Sequence, residues 1–246
     1  MRVQASEAEL VAVWLVERFP GGLEERELGS AVELAVFTDE AGEAAVRELF
    51  ADVRSEPVAP GWEDRWKEFH RPVRAGGLWI GPPWIDAPLA ERAVVVDPGR
   101  AFGTGAHPTT RACIELLSKL GRGSLLDAGC GSGVVAVAAV RLGFAPVFAV
   151  DLDEVAVEVA AETARSNDVA VDMSRADVLR DELPVTDVVV ANIELGIVER
   201  LLERVTARVA VTSGYLQAET PESPRWTRLD RFELEGWAAD VLAMRH

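Results

Sequence analysis

Cysteine is scarce in this sequence, and other features that define large protein classes are missing. Only Cys113 and Cys130 occur among 246 residues, and two thiols provide neither a disulfide framework nor a four-cysteine zinc site. The first ten residues are polar, without the apolar core of a signal peptide. No apolar run approaches the roughly 20 residues that span a bilayer. These absences predict a cytoplasmic protein that holds no metal and contacts no membrane.

Positive charge is also in short supply. Lys and Arg number 25 against 41 Asp and Glu, which gives a net charge of −16. Broad contact with nucleic acid or an anionic membrane needs clustered Lys and Arg, so both partners are disfavoured. A field of this sign raises encounter rates with cations and favours a basic protein partner. We expect a monomer that acts on such a partner.

The chain divides into two unequal parts. In the first, apolar residues recur at helical spacing from Ala8 to Phe19 and from Val46 to Val53, with β-rich segments beside them. The order β-α-β-β-α-β predicts a small ferredoxin-like unit. The first 60 residues contain 5 basic and 13 acidic side chains. This excess is either a well-solvated surface or a docking face for a basic partner.

A linker and an aromatic-rich stretch follow. Residues 55–61 (SEPVAPG) carry two prolines and a glycine. Trp62, Trp66 and Phe69 share one helical face, which predicts either a helix packed on the second part or a hinge. The predicted boundaries are 1–56 for the first domain, 57–92 for the linker with its connecting helix, and 93–246 for the second domain.

The second part has an α/β pattern. Strands and helices alternate at 124–127, 134–142, 147–150, 154–166, 187–191, 195–205 and 209–213. Apolar strands that alternate with helices imply a parallel sheet covered on both faces. Segments 226–234 and 237–244 around Gly236 predict a terminal antiparallel hairpin. The predicted fold class is therefore α/β, a Rossmann-like domain preceded by a small α+β domain.

A glycine loop carries the strongest chemical signal. Gly129, Gly131 and Gly133 follow a strand that ends in Asp127, and a helix begins at Val134. Such a loop lets backbone N–H groups approach a ligand closely. The spacing fails the dinucleotide pattern G-x-G-x-x-G and is instead typical of S-adenosylmethionine sites. The alternative is a tight strand-to-helix turn without a ligand.

Two strand-end residues complete this pattern. Asp151 lies 20 residues after Gly131 at the end of the next strand, where a carboxylate can accept both ribose hydroxyls. Asp153 is the better candidate for a helix N-cap. Asn192 ends the fourth strand, at the edge where ligands of such sheets bind. It is either a site residue or a loop-forming residue. Adenine-directed amino methyltransferases usually carry two prolines and an aromatic residue after this position. This chain has Ile193 and Glu194 there, which disfavours a nucleobase substrate.

Residues 96–110 (VDPGRAFGTGAHPTT) contain three glycines, two prolines and three threonines, which predicts a mobile flap. The segment could close over a ligand, with Phe102 as an apolar contact. Thr109 or Thr110 could cap a helix that begins near Arg111.

The chain resembles the bacterial methyltransferase of large-subunit ribosomal protein eleven. The resemblance rests on DPGRAFGTGAHPTT, LLDAGCGSG, VFAVDLDEVAVEVAAETARSN and VVVANI, with GWEDRWKEFHRPVRAGGLWIGPPW before them, over roughly residues 61–214. It implies an N-terminal substrate-recognition domain, a linker and a class I methyltransferase domain. Between Ser213 and Trp226 the chain is short where the family usually has a crossover helix, and Glu203 to Arg208 replace a Gly-rich turn. Both departures bear on the choice of protein substrate.

The resemblance also implies roles for individual residues. The implied cofactor, S-adenosylmethionine, would contact Phe102, Thr110, Gly129, Gly131, Asp151, Leu152 and Asn192. Asn192 would lie near the methyl-transfer position as the catalytic residue. The implied reaction methylates amino groups, lysine side chains or an α-amine, of a basic ribosomal protein. His107, in the HPTT turn, is expected to have a structural role.

Rival interpretations come from other classes. The shortened C-terminal region permits an amine methyltransferase that acts on another protein or a small molecule. A non-catalytic S-adenosylmethionine-binding module is opposed by the intact set of cofactor residues. A nucleic-acid methyltransferase is disfavoured by the charge, and a nicotinamide oxidoreductase by the glycine spacing.

Overall fold

The computed structural model of the chain describes residues 1–4, 8, 11, 14–15, 23–29, 31–36, 38, 40–50, 52–55, 70–97, 103 and 105–245. The chain forms two compact units, Met1–Glu63 and Asp64–His246.

The N-terminal unit contains an antiparallel sheet and a helix. Its elements are β1 (Arg2–Gln4), β2 (Leu23–Leu28), β3 (Ala31–Val36) and α1 (Glu40–Leu49). Strand β3 pairs with both β1 and β2, so the order is β1-β3-β2. This is the order expected when the third strand of a β-α-β-β unit inserts between the first two. Leu15, Val32, Leu34 and Val46 form its buried core.

One predicted strand of this unit is absent from the described residues. The predicted order β-α-β-β-α-β ends in a fourth strand after the helix that contains Val46, but residues 53–55 have no regular structure. The Arg47 guanidinium donates to the Val53 carbonyl oxygen at 3.1 Å and to Ser55 Oγ at 2.8 Å, which ties the segment to α1. The preceding residue, Asp52, accepts a backbone hydrogen bond from the Arg2 N–H of β1 at 3.1 Å. The helix predicted from Ala8 to Phe19 lies mostly outside the described residues.

The predicted linker differs from the structure in its second half. Strands β4 (Val73–Ala75), β5 (Leu78–Gly81) and β6 (Arg92–Val95) form a small sheet of order β4-β5-β6. Leu78 and Ile80 are fully buried in the core cluster that includes Ile114, so this sheet packs as part of the second unit. The apolar run at 78–80 is thus a buried strand. The helix predicted from Trp62, Trp66 and Phe69 lies outside the described residues.

The second unit is built on a seven-stranded sheet. Its strands are β7 (Leu125–Ala128), β8 (Val147–Asp151), β9 (Asp172–Arg175), β10 (Val188–Asn192), β11 (Val209–Leu216), β12 (Trp226–Leu234) and β13 (Trp237–Met244). The order is β12-β13-β11-β10-β7-β8-β9. Strands β9, β8, β7, β10 and β11 pair in parallel, and β13 pairs antiparallel with β11 and β12. The predicted Rossmann-like fold and its terminal hairpin are therefore confirmed.

Helices cover both faces of this sheet. They are α2 (Pro108–Lys119), α3 (Val134–Leu142), α4 (Glu154–Ser166) and α5 (Leu195–Arg204). Ile114 of α2 and Val137 of α3 belong to one core cluster, and Leu201 of α5 packs with Leu126 and Val189 in another. Burial on both faces explains why the central strands are continuously apolar. Strand β9 was not predicted from the sequence, because it is polar and mostly exposed.

The start of α2 also corrects a prediction. The helix begins at Pro108, and its N-cap is His107, whose Nδ1 lies 3.4 Å from the Thr109 amide nitrogen. Either Thr109 or Thr110 was expected to cap a helix that begins near Arg111, but both lie inside the helix and are buried. Proline is favoured at the first helical position because it has no N–H to satisfy.

In the part of the chain that the structure describes, every helix is too short or too polar to cross a membrane.

We predict that Asn167→Ala destabilises the second unit by about 2–4 kcal/mol, since buried partners would be left unsatisfied. The Asn167 side chain is 4% exposed. Its Oδ1 accepts from the Val95 N–H at 2.8 Å, and its Nδ2 donates to the carbonyl oxygens of Val95 and Thr163. Urea denaturation followed by tryptophan fluorescence measures the change. The exposed Glu158→Ala on the same helix is the control, and equal midpoints for the two variants would contradict the prediction.

Candidate active site

The candidate site lies at the carboxyl ends of three neighbouring parallel strands. Asp127 of β7 pairs with Ala149 of β8 on one side and with Val190 of β10 on the other. The glycine loop after β7, Asp151 at the end of β8 and Asn192 at the end of β10 therefore meet at one edge. Ligands of open α/β sheets bind at this edge.

The glycine loop is joined to the neighbouring strand. The amides of Gly129 and Cys130 both donate to the Val150 carbonyl oxygen, at 2.8 and 3.0 Å. Gly129 has φ +81°, and a β-carbon there would lie 2.5 Å from Ile193 Cγ2. A side chain at this position would be strained and would clash, so the turn requires glycine. The loop thus places its backbone directly against the residue that follows Asn192.

Asp151 holds the loop through its carboxylate. Its Oδ2 accepts from the Gly131 N–H at 2.9 Å, and its Oδ1 accepts from the Asp153 N–H at 3.0 Å. Each oxygen retains a lone pair for a further donor such as a sugar hydroxyl. Asp153 caps α4 as predicted, with Oδ1 accepting from the Val155 N–H at 3.0 Å. The adjacent Leu152 is 59% exposed and offers an apolar surface beside the carboxylate.

Asn192 and Thr110 come from distant parts of the chain and meet at the site. Asn192 Nδ2 donates to Thr110 Oγ1 at 3.3 Å. Thr110 is 1% exposed, whereas Asn192 is partly accessible. The contact uses one donor of the amide, and its oxygen is an acceptor of the kind that an amine N–H requires.

The flap segment is only partly described. Phe102 lies outside the described residues, as do 98–101 and Thr104. Ser132 Oγ donates to the Gly103 carbonyl oxygen at 2.5 Å, which attaches this segment to the glycine loop.

Asp127 is the site residue that sequence reasoning did not single out. Its side chain is 2% exposed, and within the described residues Oδ2 has no hydrogen-bond partner. Burial raises the pKa of Asp127 to about 7, and the charge of Asp151 acts in the same direction, while a backbone hydrogen bond from Ala136 lowers it. A buried carboxyl without a full set of partners is costly and marks a functional site. The sequence feature that could have identified Asp127 is its position at the end of a strand, two residues before the first glycine of the loop.

The other titratable groups nearby are poor nucleophiles or bases. Burial raises the pKa of the Cys113 and Cys130 thiols far above their usual range, so neither forms a thiolate readily. Burial lowers the pKa of His107, with the Glu235 charge opposing the shift. Its ring lies 2.7 Å from Thr109 Oγ1 and packs edge-on against Trp237, with centroids 5.0 Å apart. These contacts give His107 a structural role in α2.

Comparison with known proteins agrees with the resemblance read from the sequence. A family model described as ribosomal protein L11 methyltransferase matches residues 32–220. A ribosomal protein L11 methyltransferase from Caldicellulosiruptor bescii is 38% identical over 172 residues, which cover 66% of this chain and 57% of that protein. Another from Streptococcus thermophilus is 37% identical over 181 residues, which cover 71% and 57%.

A solved structure shares the fold. The ribosomal protein L11 methylase from Lactobacillus delbrueckii subsp. bulgaricus aligns with a TM-score of 0.63 and 24% identity, over 69% of this chain and 96% of that chain. The chain spans about half the length of the curated relatives it matches.

We predict that Asp127→Asn stabilises the second unit at pH 8 but not at pH 4. The folded-state pKa of Asp127 is raised from 3.8 to about 7. The folded state therefore binds more protons than the unfolded state between these values, and stability falls as pH rises through this window. At about 1.4 kcal/mol per pKa unit, ionisation of Asp127 lowers the free energy of unfolding by at most about 4 kcal/mol at pH 8. Urea denaturation at both pH values measures it.

Asp187→Asn provides the opposite control. Hydrogen bonds from the Ser124 backbone and hydroxyl hold the pKa of Asp187 below its usual range, so this carboxylate stabilises the fold at neutral pH. We expect Asp187→Asn to destabilise at pH 8. A destabilised Asp127→Asn at pH 8 would show that its charge is not a cost to the fold.

Proposed function

The chain belongs to the ribosomal protein L11 methyltransferase family, and we propose that it transfers methyl groups from S-adenosylmethionine to amino groups of a ribosomal protein, large-subunit protein L11. The observation that carries the proposal is the meeting of Asn192, Thr110 and the glycine loop beside two carboxylates, Asp127 and Asp151.

The residues present fit S-adenosylmethionine. Its methionine ammonium and its sulfonium are cationic, and Asp127 Oδ2 is a buried acceptor without a protein partner in the described part of the chain. Asp151 would accept the ribose hydroxyls, and Leu152 and Phe102 would contact the adenine portion. Gly129 and Gly131 keep the loop free of side chains so that its backbone can approach the cofactor. Thr110 would hold Asn192 in place.

The bound cofactor supplies an activated methyl group on a sulfonium. The protein therefore has to align an amine with that methyl, and alignment alone can supply a large part of the rate. We assign this task to the Asn192 amide oxygen and the Ile193 carbonyl oxygen, which can accept the two N–H bonds of a neutral amine. Two acceptors fix the direction of the nitrogen lone pair.

The amine must lose its proton before it attacks. A lysine with a pKa of about 10.4 costs about 4.6 kcal/mol to deprotonate at pH 7, whereas an α-amine near 7.8 costs about 1. We propose that the ammonium gives its proton to water as it enters the site, because desolvation and the like charge of the sulfonium both lower the pKa of the amine. His107 is occupied in the α2 cap and is not assigned as the base.

A basic protein substrate suits the charge of the chain. The first 60 residues carry 13 acidic against 5 basic side chains, and one of the acidic residues, Glu33, lies on β3. We propose that the N-terminal unit is the substrate-recognition domain, which docks the basic protein by electrostatic attraction. The chain would work as a cytoplasmic monomer.

The connection between β11 and β12 supports a second candidate substrate. Residues 217–225 connect β11 to β12 without a helix, as the sequence predicts. The Arg231 guanidinium secures this connection by donating to the carbonyl oxygens of Gln217 and Glu219. The connection follows β11, whose Ser213 pairs with Asn192. Its difference from the family favours, as the alternative, an amine on another protein or a small molecule.

The test is methyl transfer from labelled S-adenosylmethionine to undermethylated large-subunit ribosomal proteins, resolved by intact-protein mass. We expect mass steps of one methyl on protein L11.

Asn192→Ala should lower kcat about 100-fold or more, since it removes an interaction that orients the amine. Retained turnover with unchanged cofactor affinity would exclude this role. Label on another protein alone would move the assignment to the second candidate.

We predict that Asp151→Ala weakens S-adenosylmethionine binding about tenfold or more, because it removes a charged acceptor and the anchor of the Gly131 amide. Asp153→Ala is the matched control two residues away. It should lower stability by about 1 kcal/mol through loss of the α4 cap and leave the dissociation constant unchanged. Calorimetric titration measures both, and equal affinities for the two variants would refute the role of Asp151.

A further inference from the structure

Strand β11 is irregular where it passes the end of β10. Its pairing with β13 shifts register between Ser213 and Tyr215, so Gly214 is the extra residue of a β-bulge. Gly214 has φ +103°, a conformation that side chains rarely adopt. Bulges of this kind occur next to active sites, where they redirect neighbouring groups.

Gly214 faces the backbone of Ile193. A β-carbon on Gly214 would lie 2.1 Å from the Ile193 carbonyl oxygen, 2.7 Å from its carbonyl carbon and 2.9 Å from its amide nitrogen. The Ile193 N–H donates to the Ser213 carbonyl oxygen at 3.1 Å. The bulge thus holds the Ile193 peptide from one side and leaves space for its carbonyl that only glycine provides.

The glycine loop holds the same residue from the other side. A β-carbon on Gly129 would lie 2.5 Å from Ile193 Cγ2, so the loop backbone contacts the Ile193 side chain directly. Ile193 therefore packs between two glycines: Gly129 of the proposed cofactor loop contacts its side chain, and Gly214 of β11 contacts its backbone.

Tyr215 fixes the bulge. Its side chain is 2% exposed. Its hydroxyl donates to Asp240 Oδ2 at 2.9 Å or to the Thr212 carbonyl oxygen at 3.0 Å, and lies 2.8 Å from Thr212 Oγ1. Asp240 also accepts from the Arg231 guanidinium at 3.3 Å. The residue after Gly214 is thus anchored to β13 and, across the bulge, to Thr212 of its own strand.

We propose that Gly214 is a positioning residue for methyl transfer. Its lack of a side chain, with the bulge that Tyr215 anchors, sets the Ile193 carbonyl and the Asn192 amide relative to the cofactor loop. The inference rests on the proposed methyl transfer and adds to it a residue that touches neither cofactor nor substrate.

The test compares Gly214→Ala with Gly143→Ala. Gly143 ends α3 with φ +99°, and a β-carbon there would find its nearest neighbour at 3.7 Å, an ordinary contact. Both variants carry a similar backbone strain, but only Gly214→Ala presses on the Ile193 peptide. We expect the single-turnover rate with saturating cofactor to fall about 100-fold in Gly214→Ala, the scale of a displacement near 1 Å. Cofactor affinity should stay within about threefold of the wild type.

A second variant decides the matter if Gly214→Ala does not fold. Tyr215→Phe keeps the backbone and removes the hydroxyl that anchors the bulge. We expect a rate lowered about tenfold, again with cofactor affinity retained. A purely structural role would instead lower melting temperature and cofactor affinity without a separate loss of rate.

The outcomes separate this inference from the proposed function. A wild-type chain that transfers no methyl to any amine overturns the proposed function. An active wild type, with Gly214→Ala as fast as Gly143→Ala or with Tyr215→Phe at the wild-type rate, overturns the positioning role alone.

Discussion

The paired hydrogen bonds from the Gly129 and Cys130 amides to the Val150 carbonyl oxygen fix the geometry on which the candidate site depends. They join the glycine loop to β8, whose last residue, Asp151, then reaches back to the Gly131 amide. The parallel register of β7 with β10 brings Asn192 to the same level. Because the loop is joined to β8 through its backbone and the strand register places Asn192 beside it, the sheet itself sets where these residues lie.

The site carries a cost that the rest of the fold offsets. Asp127 is buried with one oxygen lacking a partner among the described residues, and Gly129 and Gly214 occupy left-handed backbone conformations. The buried carboxyl oxygen is unfavourable in isolation, and each glycine loses more conformational freedom on folding than a residue with a side chain would. Large apolar clusters on both faces of the sheet hold them in place. The proposed function accounts for both features, because a buried carboxyl can receive a cationic cofactor and a bulge can redirect a carbonyl toward an amine.

Much of this arrangement can be read from the sequence, for identifiable reasons. Strands β7, β8 and β10 are continuous apolar runs, and Gly143, Asn167 and Asp153 mark helix ends by local chemistry. Sequence reasoning failed where tertiary contacts decide. Strand β9 is polar because it lies at a sheet edge. His107 displaced the threonines as the α2 cap because Pro108 starts the helix one turn earlier. The clash that makes Gly214 necessary involves a residue 21 positions away.

We propose that the strand-end residues form a site for S-adenosylmethionine in which the Asp127 carboxyl lies beside the positive charge of the cofactor. Calorimetric titration at pH 7 in buffers of different ionisation enthalpy tests it, because it reports binding and proton exchange together. A cation placed beside Asp127 lowers its pKa from about 7. The wild type should therefore release more protons on binding than Asp127→Asn. Absence of binding, or equal proton exchange in both proteins, would contradict the account.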